Sequence, residues 1–167
     1  AGAAAYNLKF GAGYATASNT GHSTAYSYSG AGSWHELYPS TKEELYIDPV
    51  TQLGGAITVD QIASITYHTI NGATNPSGVD FYVILYTDPT GICPLGPASW
   101  YCKRLIAEPY LSGGYVPPTA WAWNTWATTA GANQLRFFDP NLCGNFGFYG
   151  APSLADLQAG PVNWSPW

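Results

Sequence analysis

The sequence predicts an all-β fold, a jelly-roll β-sandwich preceded by an N-terminal extension strand and carrying one short helix near the C-terminus. Three observations predict it. Apolar residues alternate with polar ones in short runs, the period of a strand with one buried face. Turn-forming pairs cut these runs about every ten residues, a spacing typical of sandwiches and barrels. Helical periodicity is confined to a single short segment near the end.

The first run is "AYNLKFGAGYATA". Tyr6, Leu8, Phe10, Ala12 and Tyr14 fall on one side, and Asn7, Lys9, Gly11, Gly13 and Ala15 on the other. Further strands are read at "HSTAYSYSG", "SWHELYP" and "EELYIDP", the last after a single turn with S-x-x-E spacing at Ser40 to Glu43. "GGAITV" and "SITYHTI" come next. "VDFYVILYTD" is apolar on both faces, as expected of a central strand covered on both sides. "YCKRLIAEPYL", "TAWAWNTWATT", "QLRFFDP", "GNFGFYG" and "VNWSPW" complete the series. Asn71-Gly72, Asn75-Pro76, Gly54-Gly55 and Gly113-Gly114 mark turns, as does Asp-Pro at Asp48, Asp88 and Asp139. "SLADLQAG" reads as the helix, with Ser153 as N-cap, Asp156 at N3, Leu154 and Leu157 inward and Gly160 as stop. With no long repeat and no linker, the organisation is an N-terminal strand over residues 1–18 and a jelly-roll domain over 19–167.

Composition narrows the class. Charged residues make up 9% of the chain, against roughly 25% in ordinary soluble domains. A net charge of −5 with five Lys and Arg argues against nucleic acid, since phosphates would find no basic patch. No apolar run is long enough for a transmembrane helix. An Ala-rich start without Met fits a mature product of signal cleavage, hence a secreted, extracellular protein. Cys93, Cys102 and Cys143 fit an oxidising compartment, with Cys93–Cys102 closing the loop "ICPLGPASWYC" and Cys143 left over; three reduced thiols are the alternative.

The second half, "WNTWATTAGANQLRFFDP…GNFGFYGAPSLADLQAGPVNW", resembles secreted, uncharacterised bacterial proteins with a concanavalin-like β-sandwich, over roughly residues 60 to 167. The resemblance brings no catalytic residues. The layout also resembles that of jelly-roll subunits of extracellular bacterial fibres, which implies an N-terminal strand that completes the neighbouring subunit's sheet.

Catalytic patterns are missing from the sequence. No E-x-D-x-E places paired carboxylates on one strand face, as glycosidases of such folds require. Glu43 and Glu44 would point to opposite faces of a strand, and Asp80 and Asp88 bracket one strand. His22, His35 and His68 sit on separate segments. A non-enzyme is therefore expected, with no catalytic residues and no cofactor. The acids are scattered and form no D-x-D-x-D-G loop, which leaves a structural Ca²⁺ near Asp139 or Asp48 as an open alternative.

Two functions remain. One is a filament subunit that polymerises with copies of itself, donating Tyr6, Leu8, Phe10, Ala12 and Tyr14 to its neighbour; pairing of that strand within its own sheet is the alternative. The other is a carbohydrate-binding module with an aromatic platform drawn from Trp121 and Trp123, which share one strand face, and Trp126, which points the other way, set against a reading in which two of these rings fill the core. Covalent glycans are a third way sugars enter. Thr16, Ser18, Thr20, Ser23 and Thr24 lie in a Ser/Thr-rich stretch that suits O-glycans or, as the alternative, a polar strand pair, and Asn163 heads an N-W-S sequon.

Overall fold

The structure, a computed structural model, describes residues 17–18, 20–36, 44–45, 57–72, 80–86, 104–139 and 150–159. These residues are mainly antiparallel strands, with one short helix and two 3-10 turns among them. The chain divides into two compact units, residues 1–57 and 58–167. No helix among the described residues is long and apolar enough to cross a membrane.

In the first unit, β1 (Ala17–Ser18) pairs antiparallel with β4 (Glu44–Leu45), and β2 (Thr20–Ser23) with β3 (Ser33–Glu36). The expected strand "HSTAYSYSG" stops at Ser23, and its remaining residues form the tip of the β2–β3 hairpin. Side-chain hydrogen bonding overrides the alternation there. The Ala25 N–H donates to Ser23 Oγ at 3.1 Å, Ser27 Oγ donates to the Gly30 carbonyl at 2.9 Å, and Gly30 takes a φ of 76°. Tyr26 and Tyr28, which the alternation would have buried, stand exposed on this tip.

In the second unit, β5 (Thr66–Ile70) pairs antiparallel with β8 (Trp123–Ala127), and β6 (Val83–Tyr86) with β7 (Arg104–Ala107). Register explains the double-sided apolar pattern around β6. Val83 and Leu85 lie across from Ala107 and Leu105, and all four join the main core. Ile84 lies across from Ile106 on the other face, where they pack with Phe138, Ala151 and Leu111. The strand is shorter than "VDFYVILYTD" suggests, and Phe81, Tyr82 and Tyr86 at its ends are exposed.

The main core gathers Val59, Leu105, Ala107, Trp126, Leu135, Phe137, Leu154 and Leu157, so the inward residues of both ladders meet in it. The segment "QLRFF" connects the two ladders. The Leu135 N–H donates to the Ala127 carbonyl of β8 at 2.7 Å, while Phe138 and Ile106 of β7 exchange hydrogen bonds of 2.8 and 2.9 Å. It serves each ladder for only a residue or so, so the continuous strand expected at "QLRFFDP" is reduced to isolated bridges.

Three other expected strands are cut back for local reasons. The described end of "GGAITV" is coil leading into a 3-10 turn, Val59–Gln61, because Gln61 Oε1 reaches back to accept the Thr58 N–H at 2.8 Å. "YCKRLIAEPYL" leaves the ladder after Ala107, where Pro109 opens a second 3-10 turn, Pro109–Leu111. "TAWAWNTWATT" enters β8 only at Trp123, because Trp121 adopts a φ of 61°.

The helix forms as expected over Leu154–Ala159, α1. The Asp156 N–H donates to Ser153 Oγ at 3.2 Å, and Asp156 Oδ2 accepts from the Ser153 N–H at 2.9 Å and from its hydroxyl at 2.7 Å. Leu154 and Leu157 are buried, and Gln158 Nε2 ties α1 to the first 3-10 turn by donating to the carbonyls of Val59 and Ile62.

Candidate functional site

The β5–β8 ladder has two chemically different faces, and its register determines which residue goes where. Tyr67 and Thr69 lie on the core side with their partners Trp126 and Asn124. Thr66, His68 and Ile70 lie on the other side with Ala127, Thr125 and Trp123. Two residues beyond the Ile70–Trp123 pair come Gly72 and Trp121, joined by the Trp121 N–H donating to the Asn71 carbonyl at 2.8 Å.

Over the paired positions the outer face is uncharged, made of Trp123, Ile70, Ala127, Thr66, Thr125 and His68. Trp121 is 62% exposed and Trp123 half-buried. The Trp121 ring lies over Gly72 so closely that a Cβ there would sit 3.1 Å from it. His68 Nδ1 and Thr125 Oγ1 are 2.9 Å apart. Partial burial pulls the imidazole below its ordinary pKa, which keeps it neutral at pH 7.

The core face holds a polar network that sequence reasoning missed. Trp126 is fully buried, and its indole N–H donates to Thr69 Oγ1 at 2.8 Å. The Thr69 hydroxyl donates in turn to Asp80 Oδ2 at 2.7 Å. Asp80 also accepts from Asn71 Nδ2 at 3.3 Å and from the Phe81 N–H at 2.7 Å. Tyr67 donates to the Phe81 carbonyl at 2.8 Å, and the Tyr115 ring stacks on Trp126 with centroids 6.2 Å apart. The Tyr115 hydroxyl is buried without a hydrogen-bond partner. Burial raises the Asp80 carboxyl above the usual carboxylate range against three hydrogen bonds that lower it. Burial, and then the Asp80 charge, push both phenols up. Apart from the Phe81 N–H next to Asp80, the network joins residues 9 to 57 positions apart, so no local motif announces it. The available signal was a lone Asp beside an apolar strand, opposite a strand rich in Thr and Tyr.

Of the expected platform, Trp123 lies on the outer face, and Trp121 lies beyond the end of the ladder with its ring over Gly72. Trp126 is corrected to a core residue: its ring is enclosed and its N–H consumed by Thr69. Ser18 and Thr20 lie in β1 and β2, Ser23 ends β2 with its hydroxyl bound to the Ala25 N–H, and Thr24 is exposed on the hairpin tip. Asp139 is 1% exposed, and no cluster of three metal-ligating side chains occurs among the described residues. Tyr6, Leu8, Phe10, Ala12, Tyr14, Thr16, Asp48, Cys93, Cys102, Cys143 and Asn163 lie outside the described residues, as does the turn expected at Ser40 to Glu43.

Comparison with protein families, with curated proteins and with solved structures finds no match to this chain.

Proposed function

We propose that this protein is a structural subunit of an extracellular filament, a jelly-roll sandwich that polymerises head-to-tail by accepting the N-terminal strand of its neighbour. The observation that carries this reading is the aromatic exposure around β6. Phe81, Tyr82 and Tyr86 are 46%, 48% and 49% exposed on and beside a strand that pairs with β7 alone among the described residues. A strand of this kind is an aggregation hazard unless a partner is reserved for it. Residues 6–14 have the pattern such a partner needs. Tyr6, Leu8, Phe10, Ala12 and Tyr14 supply one apolar row, and Gly11 and Gly13 on the opposite row allow close approach. Giving one strand and taking another makes the contact head-to-tail, so it propagates unless it closes into a ring. The sparse charge of the chain also suits a subunit whose surface is largely in contacts.

The test is deletion of residues 1–15. The full chain is expected to form threads by negative stain. The truncated chain is expected to be a soluble monomer that binds a synthetic peptide of residues 1–15. Threads from the truncated chain, or a monomeric full chain, would refute the proposal.

A further inference from the structure

The outer face of the β5–β8 ladder ends at a residue with an uncommon backbone conformation. Trp121 takes a φ of 61°, in the left-handed region. For a bulky side chain this conformation is strained, and such strain persists only where the surroundings enforce it. Here they do. The Trp121 N–H is held by the Asn71 carbonyl at 2.8 Å, and the next N–H, of Ala122, by the Thr119 carbonyl at 3.1 Å. The Asn71 side chain is itself anchored on Asp80. Gly72 offers the ring a surface without a Cβ. Strain is therefore spent on holding a large indole 62% exposed to solvent, which burial does not explain.

The rest of the face supplies the chemistry. Trp123 follows two residues on, and the Thr125 hydroxyl and the His68 imidazole share its side of the ladder. Acidic and basic side chains are absent from these register positions. A flat aromatic surface beside neutral hydrogen-bonding groups matches a ring with an apolar C–H face and hydroxyl edges. At these positions a phosphate or a uronate would find no counter-charge. We infer that Trp121 and Trp123, with Thr125 and His68, form a stacking site for a neutral pyranose glycan.

Isothermal titration calorimetry of the full chain with cellohexaose, mannohexaose and maltohexaose tests this, with an alginate hexamer as the charged control. The expected result is saturable binding of at least one neutral sugar and weaker or no binding of alginate. Trp121→Asn is expected to weaken that binding about tenfold or more. Asn accepts the left-handed backbone, so this variant should keep the parent's circular dichroism. If it does not fold, Trp121→Tyr, which retains a smaller ring, carries the test with a loss of about threefold. Tyr26→Ala, on the hairpin tip of the other unit, should bind as the parent does. The inference fails if no neutral sugar gives saturable heat, if alginate binds best, or if the folded Trp121 variant binds like the parent.

Discussion

At the scale of single residues, Asp80 shows how desolvation can outweigh hydrogen bonding. Three donors reach its carboxylate, and each favours the charged form. Burial beside Tyr67, Tyr115 and Trp126 favours the neutral form more, so the pKa is raised. A raised carboxyl contributes its stability in full below the unfolded pKa, about 4, and loses it as pH rises through the folded value. Asp156 has the opposite sign: hydrogen bonds from Ser153 lower it, so its contribution is present above the unfolded pKa and lost on acidification. The two carboxylates separate in a urea series across pH. The stability of the parent relative to Asp80→Asn should fall as pH rises from about 4 towards neutrality. The stability of the parent relative to Asp156→Asn should rise over the acid end of the same series and then level off. A parent that gains on Asp80→Asn with rising pH would mean that the three donors dominate.

At the scale of elements, the structure separates what sequence pattern encodes from what it does not. The helix was legible because its signals are local: Ser153 and Asp156 cap each other, and Leu154 and Leu157 are spaced to share one face. β5 and β8 were legible because "SITYHTI" and "TAWAWNTWATT" are short runs rich in β-branched and aromatic residues bounded by turn signals. The strand ends were not legible, because each is set by a specific competitor of the ladder. Ser23 and Ser27 fold the hairpin tip, Pro109 opens a turn, and the Asn71 carbonyl captures Trp121. The Thr69–Asp80–Trp126 network was invisible because tertiary pairing alone assembles it. In α1, with only six residues, packing rather than propensity must supply the stability. Leu157, 4% exposed in the main core, makes this testable. Leu157→Ala should cost about 2–5 kcal/mol in chemical denaturation. A cost below about 1 kcal/mol would mean that the helix is peripheral to the cooperative unit.

At the scale of the whole molecule, the two units differ in how much of their structure lies in a described core. Every residue of both buried clusters belongs to residues 58–167, from Val59 to Leu157. The clusters share β6, β7 and the "QLRFF" segment, whose alternate residues face one cluster or the other, so loosening one should loosen both. The hydrogen bonds that hold this core are internal as well. Phe137 donates to the Pro152 carbonyl at 2.8 Å, Thr128 to the Ile65 carbonyl at 3.0 Å, and α1 reaches the first 3-10 turn through Gln158. A segment that contains its own core and closes its own hydrogen bonds has what an autonomous domain needs. Residues 58–167, produced alone, should therefore unfold in one cooperative thermal transition. They should also keep a near-ultraviolet signal from the enclosed, stacked Trp126, and Trp126→Phe should remove most of that signal. The same fragment lacks residues 1–15, so under the filament proposal it should remain unassembled at concentrations where the full chain forms threads. A broad transition without near-ultraviolet structure would instead show that residues 1–57 complete this core.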